Sequence, residues 1–170
     1  MIPKFLKYPF FSINILAFYQ ILGGIIGLLL TINLIFTLTT FSIFFIFILL
    51  IPLGLYSYSI LCGVVLTKKP LIGLKLSRLN HFLQIFNFAI SGYGFQYISG
   101  IYFSIGFDLT NGLNFRINFG TSIWHIMINE SPNINLMNLN ISALLILVFI
   151  DKMIKKIKNE DLVNQIAKND

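Results

Sequence analysis

Apolar residues run without a charged interruption from about Asn14 to Phe36 and again from about Phe41 to Leu66. Each run exceeds the ~20 residues that cross a hydrocarbon core about 30 Å thick, so both predict membrane-spanning helices. Only the uncharged break from Thr37 to Thr40 separates them, which predicts a helical hairpin. Gly23 and Gly27 stand about one turn apart in the first run, with Gly24 between them, and clear a helical face for close approach of another backbone. Pro52 removes a backbone hydrogen bond from the second run and predicts a kink, with Gly54 giving room to bend.

A third stretch, about Phe82 to Phe107, is long enough to cross but carries Gln84, Asn87, Ser91, Gln96 and Ser99. At about 100° per residue, Gln84, Asn87, Ser91, Gly94 and Tyr102 share one stripe. The expectation is a third transmembrane helix whose stripe faces protein, because a bare amide in hydrocarbon costs roughly 2–7 kcal/mol. Gly23, Gly27, Gln84, Asn87, Ser91 and Gly94 are therefore the candidate helix-packing or partner contacts.

From Asp108 to Asn138 the composition turns polar. Leu113, Phe115, Ile117 and Phe119 alternate with Asn114, Arg116, Asn118 and Gly120, and Ile126 and Ile128 continue the alternation. This period of two predicts a β-hairpin from about Gly112 to Asn129. A lone hairpin is marginal in water, so its apolar face needs the membrane, the helices or another chain. The last apolar run, about Leu139 to Met153, has an uninterrupted part, Ile141 to Ile150, that covers only about 15 Å as helix. Lys152 and Lys155 must snorkel for it to span. Beyond it, Ile154, Ile157, Val163 and Ile166 keep a helical spacing.

The expected fold is an all-α integral membrane protein, a single polytopic membrane domain over residues 1–170. It has four transmembrane helices, about 14–36, 41–66, 82–107 and 139–153, an outer loop or small β-hairpin at 108–138 between helices 3 and 4, and a tail at 154–170. Composition agrees with a lipid environment, with 56% hydrophobic and 11% charged residues. The net charge of +6 gathers in clusters: Lys4 and Lys7; Lys68, Lys69, Lys75 and Arg78; and Lys152, Lys155, Lys156 and Lys158. Short basic loops stay inside, which places both termini in the cytoplasm, by default at a bacterial inner membrane. Lys4 and Lys7 ahead of a run too long for a cleaved signal read as a signal anchor. Nucleic-acid binding is excluded because no basic surface with aromatic partners is formed.

Candidate chemistry is sparse. Cys62 is the only cysteine, which removes disulfides, cysteine-based metal clusters and dithiol redox chemistry. The first two runs carry no ionisable carboxylate or histidine to relay a proton. His81 and His125 fall on opposite sides of the membrane in the four-helix topology, so they cannot share a haem or metal. Asp108, Arg116, His125 and Glu130 form a solvated outer loop, and Trp124 is an interface anchor. No cofactor or metal is implied and no enzyme activity is expected. The reading is a non-catalytic accessory or structural subunit of a larger membrane complex, with the lipid bilayer and other integral membrane subunits as partners. The alternative is a small oligomeric channel or transporter whose path is lined by the polar stripe of helix 3. An enzyme acting on lipid or quinone through Asp108, His125 and Glu130 is a third class.

Overall fold

The computed structural model describes residues 7–37 and 42–169, with side chains for 12–37 and 42–160. Lys4 and most of the Thr37 to Thr40 break lie outside the described residues, as do the side chains of Lys7, Val163 and Ile166. The chain forms α1 (Lys7–Thr37), α2 (Ile43–Lys68) and α3 (Pro70–Phe82). Six strands follow: β1 (Phe86–Ile90), β2 (Tyr93–Ile98), β3 (Tyr102–Asp108), β4 (Asn114–Gly120), β5 (Ile123–Ile128) and β6 (Asn135–Asn140). α4 (Ile141–Asn169) closes the sequence.

The four-helix expectation is overturned. Two helical segments, Ser12–Thr37 and Ile43–Lys68, are long and apolar enough to cross a membrane, and the protein is mixed α/β. The stretch expected as a third transmembrane helix is the end of α3, then β1, β2 and all of β3 but its last residue. Its physical signal is a period of two: Phe86, Phe88 and Ile90 alternate with Asn87 and Ala89, and Tyr93, Phe95 and Tyr97 alternate with Gly94 and Gln96. Ser91 and Gly92, at φ +50° and +88°, supply the reversal between the two strands. The expected stripe of Gln84, Asn87, Ser91, Gly94 and Tyr102 therefore does not exist as a helical face. The β-hairpin expectation is also corrected: β4 and β5 form where the alternation places strands, but they lie at opposite edges of the sheet and do not pair.

The sheet is antiparallel throughout, in the order β4-β3-β6-β1-β2-β5. Laid flat, its edges would stand about 24 Å apart at ~4.8 Å per strand. Only Thr121 and Ser122 join the edge strands β4 and β5, and three Cα steps reach at most about 11 Å. The sheet must therefore curl until its edges meet at that end. Burial identifies the inner face: Asn87 and Ser104 are 3% exposed, whereas Phe86, Phe115 and Phe119 on the other face are 61%, 60% and 75% exposed. Polar and small residues line the inside and aromatic and aliphatic ones the outside, the reverse of a soluble barrel. Gly94 beside Ala89 and Met127, and Gly106 beside Asn138, provide the space that the tight inner face requires.

The helices fold back on one another below the closed end. α3 returns along α2, with Gly73 against the backbone of Leu66, where a Cβ has no room. Lys69 precedes Pro70 at the first position of α3, the place where a proline costs no helical hydrogen bond. Ile13, Leu16 and Ala17 of α1 pack with Leu66, Leu74, Ile150 and Met153 as the hydrophobic core. Asn140 ends β6 and caps α4, its Oδ1 accepting from the N–H of Ala143 at 3.2 Å. The link from β2 to β3 crosses the closed end through Gly100, at φ +104° and pressed on the Tyr19 ring, whereas Gly112 at φ +115° faces open space. Gly100→Ala is expected to lower the unfolding midpoint in detergent well below that of Gly112→Ala. The latter carries only backbone strain of about 1–3 kcal/mol, and similar losses would refute the tight crossing.

Candidate functional site

The most organised group of polar side chains lies where the closed end of the sheet meets α1, α2 and α3. α3 brings Ser77, Asn80 and His81 to Gln20 of α1 and Ser59 of α2, and all five are fully buried. Gln20 Nε2 donates to Ser77 Oγ at 2.9 Å, and Ser59 Oγ donates to the Gln20 carbonyl at 3.1 Å. Asn80 Nδ2 donates to Ser59 Oγ at 3.1 Å and to Gln20 Oε1 at 3.4 Å. Tyr97 on β2 shares its hydroxyl proton between the Leu55 carbonyl and Asn80 Oδ1, each 2.9 Å away. Ser99 Oγ donates to Ser59 Oγ at 2.8 Å. The network thus ties three helices to one strand end.

Beside it, a second set fastens the links. Ser122 Oγ donates to the Gly23 carbonyl at 2.8 Å and accepts from the Gly100 N–H at 2.9 Å. The Tyr56 hydroxyl donates to the Ile98 carbonyl at 3.2 Å, and that of Tyr19 to the Ile101 carbonyl at 2.7 Å. Both sets satisfy backbone groups that the crossing links would otherwise leave bare, which matters because a buried unpaired group costs about 1–3 kcal/mol.

The sequence-derived residues are distributed as follows. Gly23 lies against the backbone of Gly100, and Gly27 lies under the ring of Tyr56, so α1 receives the sheet end at the first and α2 at the second. Gln84, in the turn after α3, donates through Nε2 to the Asn80 carbonyl and accepts from the Ser99 N–H at 3.0 Å. Asn87 points into the curl, buried, with no partner for either side-chain polar atom among the described residues. Ser91 stands at the far end, its N–H donating to Asn135 Oδ1 at 3.3 Å, and Gly94 faces the interior. Gln84, Gly23 and Gly27 meet at the junction; Asn87, Ser91 and Gly94 belong to the sheet.

Gln20, Ser59, Asn80, Tyr97 and Ser122 were not singled out from the sequence. The available signal was the presence of Gln20 and Ser59 inside uncharged, largely apolar runs, since lipid-facing positions do not favour such polar side chains. His81 is buried, stacks on Tyr19 with centroids 6.1 Å apart, and has no partner for either ring nitrogen among the described residues. At the outer end, Arg116 lies 3.3 Å from Asp108 Oδ2. The Asp108 carboxyl is held below the usual range first by hydrogen bonds from Thr110 and then by Arg116. His125 and Glu130, grouped with them in the sequence reading, are exposed on β5 and on the β5–β6 loop. No group of three His, Cys, Asp or Glu side chains able to hold a metal occurs among the described residues.

On the outside of the curl a trough of about 580 Å³ lies over β6, walled by Phe86, Phe88, Phe107, Phe115, Met137 and Leu139. Its walls are almost wholly apolar. It offers hydrocarbon contact and no acid, base or nucleophile.

Two outcomes are expected from the junction. Asn80→Ala leaves Tyr97, Ser59 and Gln20 short of a partner and should destabilise the protein by about 3 kcal/mol, read as a lower unfolding midpoint in detergent. His81→Phe keeps the stacked ring and removes two unpartnered nitrogens, so it should raise the midpoint. An unchanged or lower midpoint would mean that the two ring nitrogens are no burden to the fold.

Comparison with family models, curated proteins and solved structures gave no match.

Proposed function

We propose that the chain is a non-catalytic accessory or structural subunit of a larger membrane complex, seated in a bacterial inner membrane with both ends cytoplasmic. The observation that carries this reading is how the buried polar side chains are used. Gln20, Ser59, Asn80, Gln84, Tyr97 and Ser99 bond to one another and to crossing backbone, so they hold helices to sheet. A path or a reaction centre would instead keep such groups open to a ligand.

Charge placement supports the orientation. Lys68, Lys69, Lys152, Lys155, Lys156 and Lys158 stand at the helical end, where short basic segments remain in the cytoplasm. Turns at 91–92, 109–113 and 129–134 make a polar rim at the opposite end. That rim, and the exposed apolar side chains of α1 and α2 such as Phe18 and Phe47, are the surfaces available to neighbouring subunits.

Extraction in a mild detergent, native separation and mass spectrometry of the co-migrating chains test the proposal. Stable migration with larger membrane subunits is the expected result. Migration alone or as a small homo-oligomer would overturn it.

A further inference from the structure

The outer face of the curled sheet needs an occupant, and the depth at which the sheet is fastened identifies one. We infer that this face contacts the acyl chains of a single leaflet: the sheet fills the outer half of the bilayer, and α3 with the first turns of α4 fills the inner half beside α1 and α2.

Depth is the first argument. The closed end of the sheet is fixed to Gly23 and Tyr56, which stand near the midpoints of Ser12–Thr37 and Ile43–Lys68. If those helices cross the bilayer, Ile98 to Gly100 and Thr121 to Ser122 lie at its centre. Strands of five to seven residues rise about 17–23 Å from there, enough with tilt to cover a half-core of about 15 Å. The helical hairpin above Gly23 and Tyr56 climbs a similar height.

Charge layering is the second. At the outer end of the strands stand Asp108, Arg116 and Glu130, and towards the far side of the helices stand Lys68, Lys69, Lys75 and Asp151. Among the described residues, Arg78 comes near the level of the junction, next to Ser77 on α3. Arg78 and Asp151 pair at 3.4 Å on the helical side, where the long arginine stem can run to the interface.

Side-chain alternation is the third, because an apolar outside and a polar inside is the arrangement that lipid imposes on a membrane sheet. Open edges are the weak point of any sheet in hydrocarbon. Here the two edges are joined at Thr121 and Ser122, the latter bonded to Gly23 of α1, and β4 turns Arg116 and Asn118 to the inner face. The arrangement also accounts for the short apolar part of α4: Ile141 starts at mid-depth, so the ~15 Å to Ile150 is one leaflet and needs no stretching.

The inference goes beyond the subunit proposal and is independent of any partner. Its test uses Trp124, the single tryptophan, which lies on the outer face of β5 opposite Tyr97 and therefore near mid-depth. The full chain, with whatever remains bound in mild detergent, is reconstituted into phosphatidylcholine vesicles brominated either near the headgroup or near the chain terminus. Trp124 emission should be lost mainly to the deep bromines. In a Trp124→Phe background, Phe119→Trp at the closed end should follow the deep bromines and Phe115→Trp at the outer end the shallow ones. Loss of emission only to shallow bromines at Trp124, or equally at both strand positions, would mean a sheet lying on the membrane surface and would overturn the inference. No loss from either lipid would mean a face covered by protein and would overturn it too. The unsubstituted chain decides the depth at Trp124 even if a variant fails to fold.

Discussion

A carboxamide buried among apolar helices must find hydrogen-bond partners or cost several kcal/mol, and the architecture is organised around meeting that demand at Asn80. Its side chain takes partners from α1, α2 and β2 at once. Because those partners come from segments distant in sequence, each bond closes a long loop, and α3 is held against α2 at one depth and in one rotation. Gln84, one turn further, repeats the device: it bonds back to the Asn80 carbonyl and forward to the Ser99 backbone. The first strand therefore starts where the helices have already fixed the position of the second strand's end.

Curling follows from the same fastening. The links at Ser99 to Ile101 and at Thr121 to Ser122 meet through Ser122 and Gly100 on the Gly23 carbonyl. Two short links anchored at one point prevent the six strands from lying flat, and the resulting curvature divides the side chains unequally. Inside, space is scarce, and Gly94, Gly106, Ala89 and Ser104 fit it. Outside, Phe86, Phe103, Phe115 and Phe119 spread apart and are exposed. Asn87 in the interior, without a partner among the described residues, has Asn138 opposite it on β6, but Asn138 Oδ1 accepts from Asn118. β6 thus directs this acceptor across β3 to Asn118 and not to Asn87.

The first two helices were legible because long uncharged runs admit few other structures. β4 was legible because Asn114, Arg116 and Asn118 interleave cleanly with Phe115, Ile117 and Phe119. The region from 82 to 107 was not, since its residues satisfy two periods at once: the total apolar length suits a helix, and Ser91-Gly92 is needed to divide it into strands. Asparagine and glutamine at Asn87 and Gln96 were weighed as interruptions of a helix when they are the inward half of an alternation. Pairing was less legible still. Sequence neighbours β4 and β5 read as a hairpin, yet β6 enters between β3 and β1 and leaves those two at the edges.

The buried junction was hidden for a different reason. Gln20 stands in an apolar run and Ser59 ends the stretch Tyr56-Ser57-Tyr58-Ser59, and neither shows a helical periodicity that reveals its face. Only the return of α3 gives them a common direction, and that return depends on Pro70 and Gly73: the proline starts the new helix immediately after Lys69, and the glycine lets it lie on the backbone of Leu66. A bulkier residue at Gly73 would push α3 outward at its near end and draw Asn80 away from Ser59, since a helix of this length behaves as a lever about its first turn. The same basic segment that reads as a loop in the sequence is therefore the element on which helix, network and sheet all depend.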